Sequence, residues 1–337
     1  MTATIKMIAQ KAQVSIATVS MVLNKKDQRI SDKTREKILQ IAAELNYQPN
    51  VIAQSLVTSE TKTIGLLIPD VANPFFSEIA KCIEIRLSKE NYSLFLCNSN
   101  NNKKIEQAYI QNLLNRNIDG LIISSVHIKS FLESEILRKT KTPFLIFDRL
   151  TSRDDFHTIS IADKTGGRLA AKELLSNHHQ KCACLCGSLD YQNIKNRVDG
   201  FKEVLDQQGL TIPDAFIIES DLTIMSGYES ARKLIAPIKD KQITALFCSN
   251  DLIAFGAYKA FKEHNIRIPN DISVIGFDNI AFSDYMMPPL TTIEQPISSI
   301  GKKAAEMILN IIHNKPKTAQ KYTFPVRLLK RESIKHL

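Results

Sequence analysis

From Thr63 onward the chain alternates short apolar runs with amphipathic stretches, and this alternation restricts its fold more than any other feature. The runs TIGLLIP (63–69), YSLFLCN (92–98), GLIISS (120–125), PFLIFD (143–148) and HTISIA (157–162) read as strands. So do CACLCG (182–187), AFIIES (215–220), ALFCS (245–249) and ISVIGF (272–277). Between them, residues 75–89, 105–115, 164–175, 197–207, 252–263 and 300–312 carry apolar side chains at helical spacing. A strand that is apolar throughout is buried on both faces, and the intervening helices cover those faces. Parallel sheets are therefore expected. Nine strands exceed one standard lobe, and 337 residues exceed one ordinary domain. Two lobes of the same design fit both.

Open parallel sheets bind ligands beyond the carboxyl ends of their strands. The residues there are Asp70, Asn73, Pro74, Phe75 and Phe76 after the first strand, and Asp148 and Arg149 after the fourth. Asn193 and Arg197 follow the cysteine-rich strand; Asn250, Asp251, Asp278, Asn279 and Gln295 come later. Carboxylates, amides, a guanidinium and rings in one cleft suit a ligand with many hydroxyls, such as a sugar. One of Phe75 and Phe76 is expected in the core. Asn250 and Asp251 are expected to cap the next helix as well. Asp278 and Arg197 are the strongest pair, because a charge at a strand end needs a partner and Arg offers a two-pronged one.

The N-terminal stretch IKMIAQKAQVSIATVSMVLN (5–24) reads differently. Ile5, Ile8, Ala9 and Ala12 share a helical face, Gln13-Val14-Ser15 breaks it, and Val19, Val22 and Leu23 resume it. Ser15 can cap the second helix. Two short helices joined by so brief a turn form a helix-turn-helix. Ile16, Ala17, Thr18 and Met21 then face outward, where such a motif meets DNA. Residues 1–62 hold nine basic and five acidic side chains, a net +4 that phosphate neutralisation requires. Ser31 can cap a third helix with Ile38, Ile41, Ala42 and Leu45 inward. Lys33, Arg35 and Lys37 are candidates for phosphate contact.

Tyr47-Gln48-Pro49-Asn50 ends this module. Asn50 can cap the short piece VIAQSLV (51–57), which is too short to be helical alone. Such a linker is coil when free and helix when docked, with Leu56 available to wedge between base pairs.

No apolar run is long enough to span a membrane and no signal peptide opens the chain, so a cytoplasmic protein with no membrane partner is expected. Cys182, Cys184 and Cys186 alternate on an apolar strand and lack zinc spacing, so they read as core. No phosphate loop, dinucleotide fingerprint, zinc-protease motif or nucleophile elbow occurs. Neither catalysis, nor a cofactor, nor a metal is expected.

Several stretches together carry a resemblance: TIKMIAQKAQVSIATVSMVLN, YQPNVIAQSL, TKTIGLLIPDVANPFF, FDR (147–149), CSNDLIAFGA (248–257), DISVIGFDNI, PPLTTIEQP and the closing RES (331–333). They are collinear and span essentially the whole chain. The chain resembles the lactose-repressor (LacI/GalR) family of bacterial transcription factors. The resemblance implies an N-terminal all-α helix-turn-helix headpiece with a hinge helix, then a two-lobed α/β core like the periplasmic sugar-binding proteins. It implies a headpiece over 1–47, a hinge helix and linker over 48–60, and an effector-binding and dimerisation core over 61–337. The N-lobe would hold about 61–161 plus 295–323, and the C-lobe about 162–294 plus 324–337.

It further implies a homodimer on a palindromic double-stranded operator. Ile16, Ala17 and Met21 match base-reading positions. Ser15, Thr18, Ser20 and Asn24 fall on the backbone-contacting side. Ala53 and Leu56 match minor-groove positions, with Asn50 at the hinge start. Effector contacts carry to Asn73, Phe75, Phe76, Asp148, Arg149, Asn193, Arg197, Leu222, Asn250, Asp278 and Gln295. The implied function is a repressor of sugar or other carbon-source use, gated by a small polar effector. A sugar-binding receptor, or a cleft enzyme such as a nucleoside or glycoside hydrolase, is the alternative on a similar fold.

Four departures stand out. Gln13 replaces the family's usual Gly, at a cost of about 1 kcal/mol if that turn is left-handed. Met21 replaces a common Arg, so a two-pronged guanine contact is unavailable there. Gln54 replaces the hinge Arg. Leu222 stands where an aromatic ring is sometimes found. Only IKHL follows RES, so a dimer is expected rather than a tetramer.

Overall fold

The computed structural model describes residues 3–24, 27, 29–47, 60–125, 127–136, 140–148 and 155–337. Asn50, Ala53, Leu56 and Arg149 lie outside them. The chain divides into two compact units, Met1–Thr61 and Lys62–Leu337.

The first unit holds α1 (Ile5–Ala12), α2 (Ile16–Leu23) and α3 (Asp32–Glu44). Each helix starts on a hydroxyl that accepts a backbone N–H: Thr4 from Met7, Ser15 from Thr18 and Ser31 from Thr34. These satisfy donors that a helix start otherwise leaves orphaned. Ile8, Ala9, Ala12, Val19, Val22, Ile38, Ile41 and Ala42 form one core among the three helices. Gln13 closes α1 at φ 61°, ψ 43°, and its N–H reaches the Ala9 and Gln10 carbonyls. The turn is left-handed, so this side chain carries the strain expected for a non-glycine residue there. Two of the candidate phosphate contacts are engaged inside the unit. Lys37 Nζ donates to the Ala12 carbonyl at 3.0 Å, at the negative end of α1. Arg35 pairs with Asp27 and Asp32.

The second unit begins with β1 (Thr63–Ile68), α4 (Pro74–Ser88), β2 (Ser93–Asn98), α5 (Lys103–Asn115), β3 (Gly120–Ile123), α6 (Ile128–Leu132), β4 (Phe144–Phe147) and β5 (Thr158–Ile161). Next come α7 (Asp163–Ser176), β6 (Cys182–Cys186), α8 (Gln192–Asp206), β7 (Ile217–Glu219), α9 (Ile224–Arg232), α10 (Ile235–Lys239), β8 (Ala245–Cys248), α11 (Asp251–Glu263) and β9 (Ser273–Asp278). It closes with β10 (Thr291–Glu294), α12 (Ile297–Asn314), β11 (Lys321–Phe324) and β12 (Arg327–Leu329). Two six-stranded sheets result, ordered β11-β5-β4-β3-β1-β2 and β12-β10-β9-β8-β6-β7. All pairings are parallel except β10 with β12.

All nine apolar runs are strands, and each sheet is the centre of one lobe. The chain passes between the lobes after β5, after β10 and after β11. The strands β10, β11 and β12 were not anticipated. β11 and β12 are edge strands of four and three residues with exposed polar positions, so neither shows an apolar run. β11 ends at Phe324, which pairs with Ile161 in the first sheet, one residue beyond the expected lobe boundary.

One helix crossing sets the geometry of the site. A Cβ on Gly167 of α7 would lie 1.9 Å from the Arg197 carbonyl of α8, and one on Gly200 would lie 2.0 Å from the Lys164 carbonyl. Only hydrogen fits at either place. The two backbones therefore approach closely enough to bring Asp163 and Arg197 together in the interior.

Candidate functional site

Two regions gather the candidate residues. On α2, Val19 and Val22 are buried, whereas Ile16 and Met21 are 49% and 44% exposed and Ala17 is exposed beside them. Apolar side chains on the outward face of a capped helix bury nothing within their own unit. The polar neighbours brace the helix. Ser15 Oγ accepts the Thr18 N–H at 3.0 Å and lies 2.8 Å from Thr18 Oγ1. Asn24 Nδ2 donates to Ser20 Oγ at 3.2 Å.

The second region lies at the carboxyl ends of the strands of the two sheets. Its centre is Arg197, in the second turn of α8 and 3% exposed. Its Nε donates to Asp163 Oδ1 at 2.8 Å, and its Nη1 donates to the Ser249 carbonyl at 2.8 Å and to Asp278 Oδ1 at 3.4 Å. The guanidinium lies 3.8 Å over the Phe277 ring. Burial pulls its pKa down, but Asp163, Asp278 and Asp148 outweigh this and hold it above the ordinary value. Gln295 Nε2 also donates to Asp278 Oδ1, at 2.6 Å. Burial pushes the Asp278 carboxyl well above the usual range, and Arg197 pulls it the other way.

Backbone strain marks the same place. Asp148, Asp278 and Asn279 have φ of 65°, 115° and 57°. Non-glycine residues in this region cost about 1–3 kcal/mol each and gather at ligand clamps. Two buried polar atoms find no partner among the described residues: Gln295 Oε1, and Ser124 Oγ at the end of β3.

The remaining candidates divide. Asn250 caps α11 through its Oδ1, which accepts the Ile253 N–H at 2.9 Å, while its Nδ2 donates to the Leu222 carbonyl at 3.3 Å. Leu222 is half-buried against Gly187. Asn193 is buried in the first turn of α8. Asn73 caps α4 by accepting the Phe75 N–H. Phe75 and Phe76 are both buried, at 4% and 5% exposure, and meet edge to face. One of the two was expected in the core and both are there: Pro74 starts α4 immediately before them, and Phe76 meets Phe147 of β4 edge to face at 6.2 Å.

Asp163 and the depth of Asp251 were missed. Asp163 comes two residues after β5, within reach of the strand-end rule that selects Asp148. Its position beside Asn250 predicts a cap for Asp251 as well. It is wholly buried, accepting from Ile280 N–H at 3.1 Å and from the Ser283 and Thr292 hydroxyls at 2.6 Å each. Burial raises its carboxyl to about 6.

Cys182, Cys184 and Cys186 are core, as are Cys97 and Cys248. Burial pushes Cys182 up to about 12 and Cys248 well above the usual thiol range. Cys184 is raised by its neighbour Cys186 and by burial. Buried protonated thiols are unreactive. Among the described residues, no group of His, Cys, Asp or Glu is arranged to hold a metal, and no helix is long and apolar enough to cross a membrane.

Comparison with known proteins adds to this geometry. Residues 4–50 match the family described as "Bacterial regulatory proteins, lacI family". Residues 61–332 match "Periplasmic binding proteins and sugar binding domain of LacI family". The chain is 36% identical over 337 residues to the HTH-type transcriptional repressor PurR of Aliivibrio salmonicida, covering 99% of this chain and 100% of that protein. A LacI family transcriptional regulator from Enterococcus faecium, solved with bound ribose, is 35% identical with a TM-score of 0.73, covering 82% of this chain and 99% of that one. The lac repressor dimer bound to operator and an anti-inducer is 28% identical with a TM-score of 0.87, covering 99% of both chains.

Proposed function

The chain belongs to the lacI family of bacterial regulatory proteins, and from that premise we propose a homodimeric repressor whose hold on a palindromic operator is set by a small polar ligand between the core lobes. It is a DNA-binding transcriptional regulator and not an enzyme. The observation that carries the reading is the outward face of α2, where Ile16, Ala17 and Met21 stand in solvent on a helix locked from behind by Val19 and Val22. These three residues read base edges in the major groove, where apolar side chains favour thymine methyl groups. Ser15, Thr18, Ser20 and Asn24 contact the backbone. Asn50 starts the hinge helix, and Ala53 and Leu56 enter the minor groove with Leu56 as the wedge.

In the core, Asn73, Phe75, Phe76, Asp148, Arg149, Asn193, Arg197, Leu222, Asn250, Asp278 and Gln295 form or support the ligand site. The ligand is a sugar or a related compound, and the genes controlled serve carbon-source use. A ligand acts on DNA binding only through unequal affinity for two lobe arrangements. Apolar surface supports the dimer: Tyr285, Met286 and Met287 line a groove of about 1120 Å³ with Phe255 and Tyr258, and Met287 is 92% exposed. A second copy of the chain is its proposed occupant. Action on chromosomal DNA places the protein in the cytoplasm.

A gel shift on DNA upstream of its own gene tests the reading. Salt-sensitive, palindrome-dependent binding is expected. Absence of such binding, with and without a panel of sugars, sinks it. Leu56→Gly is expected to abolish tight operator binding while sparing ligand binding.

A further inference from the structure

We infer that a recess at the amino ends of the second sheet's strands binds a small oligophosphate anion, apart from the site between the lobes. The inference rests neither on the proposed ligand of that site nor on operator binding.

The strand ends fix the place. A recess of about 690 Å³ opens among Thr244 before β8, Asn270 and Asp271 before β9, and Lys335 of the closing segment. Ser249 and Asp278, which meet Arg197 in the inter-lobe site, stand at the opposite ends of β8 and β9. At about 3.3 Å per residue, β9 holds the two places about 20 Å apart.

Charge selects the ligand's sign. Lys239, Lys241, Arg267 and Lys335 line the recess against one acidic side chain, Asp271. Arg267 is committed to that carboxylate through its Nε and Nη2, both at 3.0 Å, and holds it at about 2, with Lys335 helping from further off. Asp240, between the two lysines in sequence, is exposed and absent from the wall. Even with a carboxylate counted at Leu337, which also lines the recess, the excess is two positive charges. Lysines near helix ends ordinarily answer the helix dipole, and α10 and α11 both end here, with about half a negative charge each. Lys181, whose Nζ donates to the Lys241 carbonyl at 3.1 Å, supplies enough to offset both ends. The excess therefore stands.

The ammonium groups are also held without being used up. Lys335 is fixed at both backbone groups, its N–H donating to Ser273 Oγ at 3.1 Å and its carbonyl accepting from His179 Nε2 at 3.0 Å. Its Nζ donates to the Asn270 carbonyl at 2.7 Å, which leaves two of three N–H groups for a ligand. Lys241 sits in the left-handed turn that closes α10, at φ 54°, with its N–H on the Ile238 carbonyl. Ile238, Ile266 and Pro269 complete the wall with apolar surface, which lowers the local dielectric and strengthens attraction to an anion.

Size narrows the class. The recess falls in the range of sites for whole small molecules. A single phosphate would meet one or two of the cations, whereas a run of phosphates carries several charges and spans them.

The test is isothermal titration of the full-length protein, free of DNA and divalent cations, with tripolyphosphate, ATP and orthophosphate in about 0.1 M salt. Tripolyphosphate or ATP is expected to bind at one site per chain, and orthophosphate much more weakly. The double variant Lys241→Gln/Lys335→Gln is expected to weaken that binding about tenfold or more, since two charges at close range are lost. Lys241→Gln alone, which removes no described side-chain contact, is expected to weaken it several-fold and serves where the double variant does not fold. No binding of either oligophosphate overturns the inference. So does affinity unchanged in the variants, which would put the anion elsewhere, on the headpiece cations for example. Orthophosphate binding as tightly as tripolyphosphate overturns the assignment of class.

Discussion

Arg197→Met tests the centre of the ligand site and the physics that holds it. Arg197 and its two partners are nearly wholly buried, with side-chain exposures of 4% for Arg197, 2% for Asp163 and 6% for Asp278. Met keeps much of the volume and can still pack on Phe277. What disappears, among the described residues, is the one buried cation paired with these two carboxylates, together with its donors. Breaking a buried ion pair by deleting one partner costs about 3–5 kcal/mol, because the survivor is left uncompensated. Here the survivors can escape by taking up protons. Without Arg197 the upward push of burial on Asp278 is opposed mainly by the Gln295 hydrogen bond. A carboxyl whose folded pKa lies above its unfolded value of about 3.9 gains stability as pH falls through the folded pKa. The loss should therefore be larger at pH 8 than at pH 5. Urea unfolding followed by far-ultraviolet circular dichroism reads it, since the chain has 0 Trp. Adding Asp278→Asn should recover about 1–3 kcal/mol, the usual coupling of contacting residues. A loss under about 1 kcal/mol, equal at both pH values, would falsify the claim that these charges depend on one another.

Three further expectations follow from the same structure. Asp251, raised to about 6, adds stability as pH falls from 6 toward its unfolded value near 3.8; Asp251→Asn should flatten that part of the stability–pH curve, and an unaltered slope would assign it elsewhere. Gln13→Gly relieves about 1 kcal/mol of left-handed strain, partly offset by about 0.4–1 kcal/mol of unfolded-state entropy; slower hydrogen exchange in α1 and α2 is the expected sign, and faster exchange would contradict it. Gly200→Ala drives a methyl to 2.0 Å from the Lys164 carbonyl, so α7 and α8 must separate; sugar binding and core stability should fall together, and a variant with both intact would show that the crossing tolerates displacement.

Strand and helix identities were legible because each rests on local periodicity. The runs from Thr63 to Phe277 are apolar enough to need cover on both faces, and all of them became strands. The strand-end rule brought Arg197, Asp278 and Gln295 into one cluster without any geometry to guide it. The same rule applied evenly would have found Asp163, one residue after HTISIA.

Other features were decided only in three dimensions. β11 pairs with a strand more than 150 residues earlier, and nothing in KYTF announces that partner. Lys37 stands where a phosphate contact is expected, but its ammonium donates to the Ala12 carbonyl. Asp251 stands at a helix start, and its burial against Ser283 and Thr292 of β10 depends on segments about 30 to 40 residues further along the chain.

The sequence by itself thus determined the headpiece, the parallel sheets and the kinds of groups at the strand ends, because helical and strand periodicity and capping act over a few residues. Tertiary structure alone decided which carboxylates share Arg197, which polar atoms are left for a ligand, and which lysine is already engaged. Those outcomes depend on desolvation and on partners from distant segments, and neither is encoded at any single position.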